Sequence, residues 1–212
     1  MVKAEIKVET YTGGLLETNA YLIHGPEGLV LIDAPEGISV WLQERAGGKK
    51  LGHLLLTHGH YDHMLEAARL KRETDCIVWI HQDSMPLIEH PETMAAFSPY
   101  PRLLPVHADC LIKEGGTLEA AGVALETLLC PGHCPGSICF YNAPSKLLFG
   151  GDVLFSGGVG RWDLPGGNFE DLRDSIQQKL YRLPDDVKVL PGHGPPTTIG
   201  IEKKTNPYVR SS

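Results

Sequence analysis

Polar and apolar residues alternate over residues 2–10, with Val2, Ala4, Ile6 and Val8 set against Lys3, Glu5, Lys7 and Glu9. A period of two predicts a half-buried strand. Gly13-Gly14 ends it, and Ala20-Tyr21-Leu22-Ile23 and Leu29-Val30-Leu31-Ile32 follow as apolar strands around the turn signal Gly25-Pro26-Glu27-Gly28. Ile38, Trp41, Leu42 and Ala46 carry helical spacing, stopped by Gly47-Gly48. A short strand over residues 53–56 leads into a helix marked by Met64, Leu65, Ala67, Ala68 and Leu70, and Cys76-Ile77-Val78-Trp79-Ile80 is a further buried strand. Residues 83–108 show no clean period and contain five prolines, which predicts a lid or pocket wall rather than a linker.

In the second half, strands are expected at residues 123–129, 137–141, 147–149 and 187–190. Asn168 is placed to cap a helix over residues 169–183, whose apolar positions Leu172, Ile176 and Leu180 recur every four residues. Residues 198–205 suit a short closing helix. Strands followed by helices, twice over, predict an α/β chain folded as one domain, residues 1–212, from two similar halves.

The chemistry concentrates where apolar runs end. After Leu54-Leu55-Leu56 comes Thr57-His58-Gly59-His60-Tyr61-Asp62-His63, with three imidazoles and one carboxylate. Imidazole nitrogen and carboxylate oxygen suit zinc, iron and manganese. A chain turning from strand to helix cannot aim all four side chains at one ion, so the spacing points to two ions: His58 and His60 toward one, Asp62 and His63 toward the other. Three later segments repeat the form of a strand followed by a glycine-containing turn with a ligand: Cys130-Pro131-Gly132-His133, Gly150-Gly151-Asp152 and Pro191-Gly192-His193. The candidate set is thus His58, His60, Asp62, His63, His133, Asp152 and His193. Asp33 also ends a strand, and here it is read as a turn-forming carboxylate.

Composition narrows the function. A hydrophobic fraction of 42% and a charged fraction of 21% are those of a globular chain, and the net charge of -7 gives no basic surface for nucleic acid or anionic membrane. No apolar run is long enough to span a bilayer, no secretion signal opens the chain, and five cysteines without repeated spacing predict a reducing, cytoplasmic home. Cys130 and Cys134 lack a second pair and are read as buried thiols beside the ligands. His24, His53, His81, His90 and His107 lie outside the motifs, and Trp162 is assigned either to the pocket mouth or to packing.

The His-x-His-x-Asp-His motif with its later His, Asp and His resembles that of the metallo-β-lactamase superfamily over nearly the whole chain. The resemblance implies an αββα sandwich with a dinuclear site at one edge. His58, His60 and His133 would hold the first ion, Asp62, His63 and His193 the second, and Asp152 would bridge them. It also implies two divalent metal ions, zinc first with iron or manganese as alternatives, and a bridging hydroxide oriented by Asp62 as nucleophile. The segment from Gly151 to Gly167, including Gly160-Arg161-Trp162-Asp163, is similar to that of single-domain relatives of glyoxalase II (hydroxyacylglutathione hydrolase), as is Asn206-Pro207-Tyr208 near the end. This implies a small-molecule thioester substrate of the S-D-lactoylglutathione kind, with Arg161 contacting the glutathione carboxylate unless it pairs internally with Asp163. The C-terminal helical glutathione-binding domain of the longer enzymes is expected to be absent, and Asp163 stands where they place an aromatic hydroxyl. Alternative readings are a persulfide dioxygenase with one iron on His58, His133 and Asp152, a lactonase or esterase, and a non-catalytic metal-bound sensor. Neither a nucleic-acid nor a membrane partner is expected, and the assembly is a monomer or homodimer.

Overall fold

The computed structural model describes residues 5–210. The first half contains β1 (Lys7–Gly13), β2 (Thr18–His24), β3 (Leu29–Ile32), α1 (Ile38–Arg45), β4 (Leu51–Leu55), α2 (Tyr61–Met64) and α3 (Ala67–Thr74). It closes with β5 (Ile77–His81), α4 (Met85–Glu89) and β6 (Cys110–Ile112). The second half runs β7 (Thr117–Ala120), β8 (Val123–Leu129), β9 (Ile138–Asn142), β10 (Leu147–Gly151), β11 (Leu154–Phe155) and β12 (Gly158–Val159). It ends with α5 (Phe169–Gln178), β13 (Lys188–Pro191), β14 (Thr197–Thr198) and α6 (Ile199–Thr205). Residues 2–4 of the expected first strand lie outside the described residues.

Two six-stranded sheets result, one in the order β1-β2-β3-β4-β5-β6 and the other β14-β13-β10-β9-β8-β7. β1, β2 and β3 are antiparallel neighbours, whereas β3, β4, β5 and β6 run parallel. In the second sheet the β10–β13 pair is parallel. The central strands are mainly apolar, and β3 is buried at every position, because both faces are covered. Tyr21, Ile23, Val30, Ile32 and Leu55 turn inward to meet Leu125, Ile138, Phe140, Phe149 and Leu190 of the opposite sheet. Their alternating neighbours Leu22, Leu29, Leu31 and Leu54 pack outward with Ile38 and Leu42 of α1 and Ala67 and Leu70 of α3. Cys139, Tyr141, Leu148 and Val189 likewise pack with Leu172 and Ile176 of α5 and Ile199 of α6. Helix, sheet, sheet, helix is the layered arrangement expected from the sequence.

Three local departures have physical causes. The helix expected around Met64–Leu70 is broken between α2 and α3. At the break Glu66 turns its carboxylate onto the start of α1, accepting from Gly37 N at 3.0 Å and Ser39 N at 2.8 Å, donors that a helix start leaves unpaired. The helix expected through residue 183 ends at Gln178 and tightens into a 3-10 turn at Leu180–Arg182. Asn168 caps it as predicted, its side chain accepting from Glu170 N and Asp171 N. Residues 83–108 contain α4 and a 3-10 turn at Pro91–Met94, and β6 follows them, none of which the hydrophobic pattern disclosed.

Candidate metal centre

Each candidate ligand sits just past the C-terminal end of a strand, where the ladder stops and side chains can turn inward. His58 and His60 follow β4, Asp62 and His63 occupy α2, His133 follows β8, Asp152 follows β10 and His193 follows β13. Backbone bonds lock these turns together across the sandwich edge. Ile138 N donates to Thr57 O at 2.8 Å, Ala34 N to His63 O at 2.7 Å and Asn19 N to Gly192 O at 2.7 Å. Asn19 Nδ2 adds bonds to the carbonyls of Pro191 and Gly194, and the Tyr21 hydroxyl donates to Pro191 O.

The seven predicted side chains converge. His58, His60 and His133 form one group with ligand atoms all within 4.8 Å of one another, and Asp62, His63 and His193 form a second. Asp152 lies between them. Its Oδ1 is 3.2 Å from His63 Nε2, and its Oδ2 is 3.6 Å from His133 Nε2 and 3.4 Å from His193 Nε2. Asp62 Oδ2 is 3.3 Å from both His63 Nε2 and His193 Nε2, and it accepts from Thr18 Oγ1 at 2.8 Å.

The hydrogen bonds also decide which nitrogen each imidazole presents. His133 Nδ1 donates to Arg161 O at 2.7 Å and His193 Nδ1 to Leu16 O at 3.0 Å, leaving Nε2 of each to face the cluster. His63 Nδ1 donates to Asp33 Oδ2 at 2.8 Å. Thr57 Oγ1 donates to the same carboxylate and sits 3.1 Å from His58 Nδ1, so it accepts from that ring. His60 differs in facing His133 Nε2 through Nδ1, at 2.8 Å.

Asp33 is therefore more than the turn residue read from the sequence. It is buried and also accepts from Thr57 N at 2.8 Å. Its φ of 62° is unusual for a residue other than glycine, and such backbone conformations gather at functional sites. The signal was present, since Asp33 ends an apolar strand as the other ligand segments do. Thr18, Asn19 and Thr57, the other residues that orient the cluster, carried no comparable signal.

Charge separates the two groups. Burial, reinforced by the neighbouring imidazoles, holds His58 well below the ordinary histidine range, and burial with His133 lowers His60 to about 4. Burial lowers His133 as well. These rings are neutral and offer free lone pairs. In the other group burial opposes charge, yet Asp62, Asp152 and Asp33 raise His63 well above its usual range, and Asp152 and Asp62 lift His193 to about 10. Asp152 is held well below the usual carboxylate range by His63 and His193 despite its burial.

These residues fit a pair of cations. Asp152 Oδ1 is buried and makes no hydrogen bond among the described residues although His63 Nε2 lies 3.2 Å away, a costly state for a carboxylate oxygen that a cation between the two would relieve. Nitrogens of His60 and His58 also converge on His133 Nε2, at 2.8 and 3.3 Å, an arrangement in which the three rings can share one cation. The backbone at Gly192 passes so close to this oxygen that a Cβ there would strike it.

The cluster opens into a cavity of 660 Å³. Leu87, Thr93, Met94 and Phe97 supply part of its wall, the role expected for residues 83–108. Arg161 lines it too, but Nε and Nη2 of its guanidinium each bond an Asp163 oxygen at 2.9 Å. Trp162 packs against Phe169 and Tyr208, with ring centroids 4.8 and 6.0 Å away. All five cysteines are free. Among the described residues no helix is long and apolar enough to cross a membrane.

Residues 13–193 match the family model of the metallo-beta-lactamase superfamily. A probable metallo-hydrolase, YqgX, of Bacillus subtilis is 38% identical, covering 92% of this chain and 94% of that protein. The hydroxyacylglutathione hydrolase GloC of Haemophilus influenzae is 42% identical over 74% of this chain and 76% of its own. The crystal structure of TTHA1623 in a di-iron-bound form superposes with a TM-score of 0.81 at 37% identity, covering 95% of this chain and 100% of that one.

Proposed function

The chain belongs to the metallo-beta-lactamase superfamily, and on that premise we propose that it is a two-metal hydrolase of thioesters, with glutathione thioesters such as S-D-lactoylglutathione as the substrates to try first. The observation that carries this reading is the pair of ligand groups on either side of Asp152, whose buried Oδ1 makes no hydrogen bond among the described residues. His58, His60 and His133 would hold one ion, Asp62, His63 and His193 the other, and Asp152 would be shared.

Divalent ions held there supply a water whose pKa falls toward about 7 and a Lewis acid for the scissile carbonyl. The protein does the rest. Asp33, Thr57, Arg161 O and Leu16 O fix the imidazole tautomers, so that the rings are set before any ligand arrives. Asp62, held by Thr18 at the edge of the cavity, is the group placed to orient the attacking hydroxide. Arg161 reaches a substrate carboxylate only by exchanging Asp163 for it.

The similarity to a hydroxyacylglutathione hydrolase supports the thioester class, and the di-iron form of a structural relative supports iron beside zinc and manganese as the resident metal. The test is elemental analysis of the purified protein with two assays. Two metal ions per chain and hydrolysis of S-D-lactoylglutathione are expected. One iron per chain with oxygen consumption on glutathione persulfide would overturn the reading.

A further inference from the structure

The walls of the cavity say more about the acyl group than the metal ligands do. Resting on the hydrolase reading above, we infer that among thioesters this site prefers an apolar acyl chain of several carbons over a short hydroxylated one such as lactoyl.

Beyond the ligand cluster the lining is dominated by Leu16, Leu87, Met94, Phe97, Phe155 and Leu164. The polar side chains between them are few, and most already hold a partner within the protein. Thr93 Oγ1 donates to His90 O at 2.8 Å, and Arg161 and Asp163 bond each other unless a substrate carboxylate displaces Asp163, which leaves the Tyr61 hydroxyl as the main group for a substrate hydroxyl. A specific site for a hydroxyacyl group needs polar partners for that hydroxyl, because a buried hydroxyl without them is disfavoured.

The apolar surface lies on both sides of the cluster. Leu87 packs against Gly59, between the ligand candidates His58 and His60, and a Cβ at Gly59 would come within 2.6 Å of Leu87 Cβ. On the other side Leu16 holds His193 through its carbonyl, and the Phe155 ring lies 6.0 Å from that of His193. With the carbonyl at the cluster, the acyl chain therefore meets apolar side chains whichever way the thioester lies. Phe97 and Leu16 are 52% and 48% exposed, so they keep apolar area at the mouth for a chain to cover. The volume of 660 Å³ falls within the roughly 300–1,000 Å³ usual for small-molecule pockets.

The test uses the metal-loaded full chain and S-acylglutathiones that differ only in the acyl group: lactoyl, acetyl, butyryl, hexanoyl and octanoyl. In parallel, calorimetry measures binding of the matching linear carboxylates. We expect kcat/KM and carboxylate affinity to rise about two- to fourfold per buried methylene until the cavity is filled. Phe97→Ser should flatten that rise and lower the hexanoyl-to-acetyl ratio severalfold. Turnover of lactoyl at or above the rate for hexanoyl, with carboxylate affinity flat in chain length, overturns the inference and leaves the hydrolase reading intact. No turnover of any thioester, with carboxylate affinity still rising, sinks the hydrolase reading and supports the apolar site. No turnover and flat affinity sinks both.

Discussion

Replacing Asp33 with asparagine tests whether one carboxylate sets both halves of the metal centre. The buried Asp33 accepts three hydrogen bonds of 2.8 Å, from Thr57 N, Thr57 Oγ1 and His63 Nδ1. All three partners are donors, and an amide of the same shape has only one oxygen. If the amide nitrogen takes the place of Oδ2, Thr57 Oγ1 loses its acceptor and the His63 ring must accept through Nδ1 and carry its proton on Nε2, the nitrogen that faces Asp62, Asp152 and His193. If it turns instead to Thr57 N, two donors oppose each other in the interior. Either way at least one bond to a charged acceptor is lost, each worth about 1.5–3 kcal/mol. At ~2–4 °C per kcal/mol for a chain of this size, the metal-free variant should melt several degrees lower. Losing such an orienting partner also weakens metal binding by about 10–100-fold. Thr57 relays Asp33 to His58, so the first ion should be weakened as well, though less than the second. Competition against a chromophoric chelator measures both affinities, calorimetry gives the melting shift, and imidazole nitrogen NMR reads the His63 tautomer. A folded variant with wild-type affinity for two ions would refute the argument. A lower melting temperature with unchanged tautomer and affinity would reduce Asp33 to a packing residue.

Three other outcomes are expected. Asp152→Ala should lose both ions, because Asp152 stands between the two ligand groups, and elemental analysis that still finds two per chain would remove its shared role. Gly192→Ala should fold but bind metal poorly, since the added Cβ collides with Asp152 Oδ1 and crowds His63 Cε1; normal metal content would show that the backbone yields there. Glu202 is buried and accepts from Gly157 N, Thr197 Oγ1 and Asn206 Nδ2, tying α6 to the β11–β12 hairpin that carries Phe155. Glu202→Ala should lower stability by about 2–4 kcal/mol in urea unfolding by orphaning those donors, and an unchanged midpoint would contradict that.

Much of this protein is legible along the chain. The apolar strands, the cap at Asn168 and the seven ligand candidates were all visible, because periodicity, capping and residue type act within a few positions of themselves. Strand ends followed by small residues also disclosed where the ligands would gather, since a buried sheet leaves its chemistry to the turns.

Other features depended on contacts between distant segments. Asp33 reads as a turn residue until the fold sets it against Thr57 and His63, and only then does its charge acquire a purpose. At the break in the helix after the histidine motif, Ala34 takes the backbone bonds of His63 O and Glu66 N, and the Glu66 carboxylate reaches the start of α1, contacts between distant segments that local propensity does not encode. Sequence admitted Arg161 either as a carboxylate contact or as a partner for Asp163, and the structure shows it paired with Asp163. The choice of Nδ1 in His60 and Nε2 in the other four rings, and the apolar wall built from an aperiodic segment, likewise follow from which groups the folded chain brings within hydrogen-bonding or packing distance. Sequence spacing names the side chains able to bind a metal. Their orientation, and what lies opposite them, exist only once the two sheets have closed on each other.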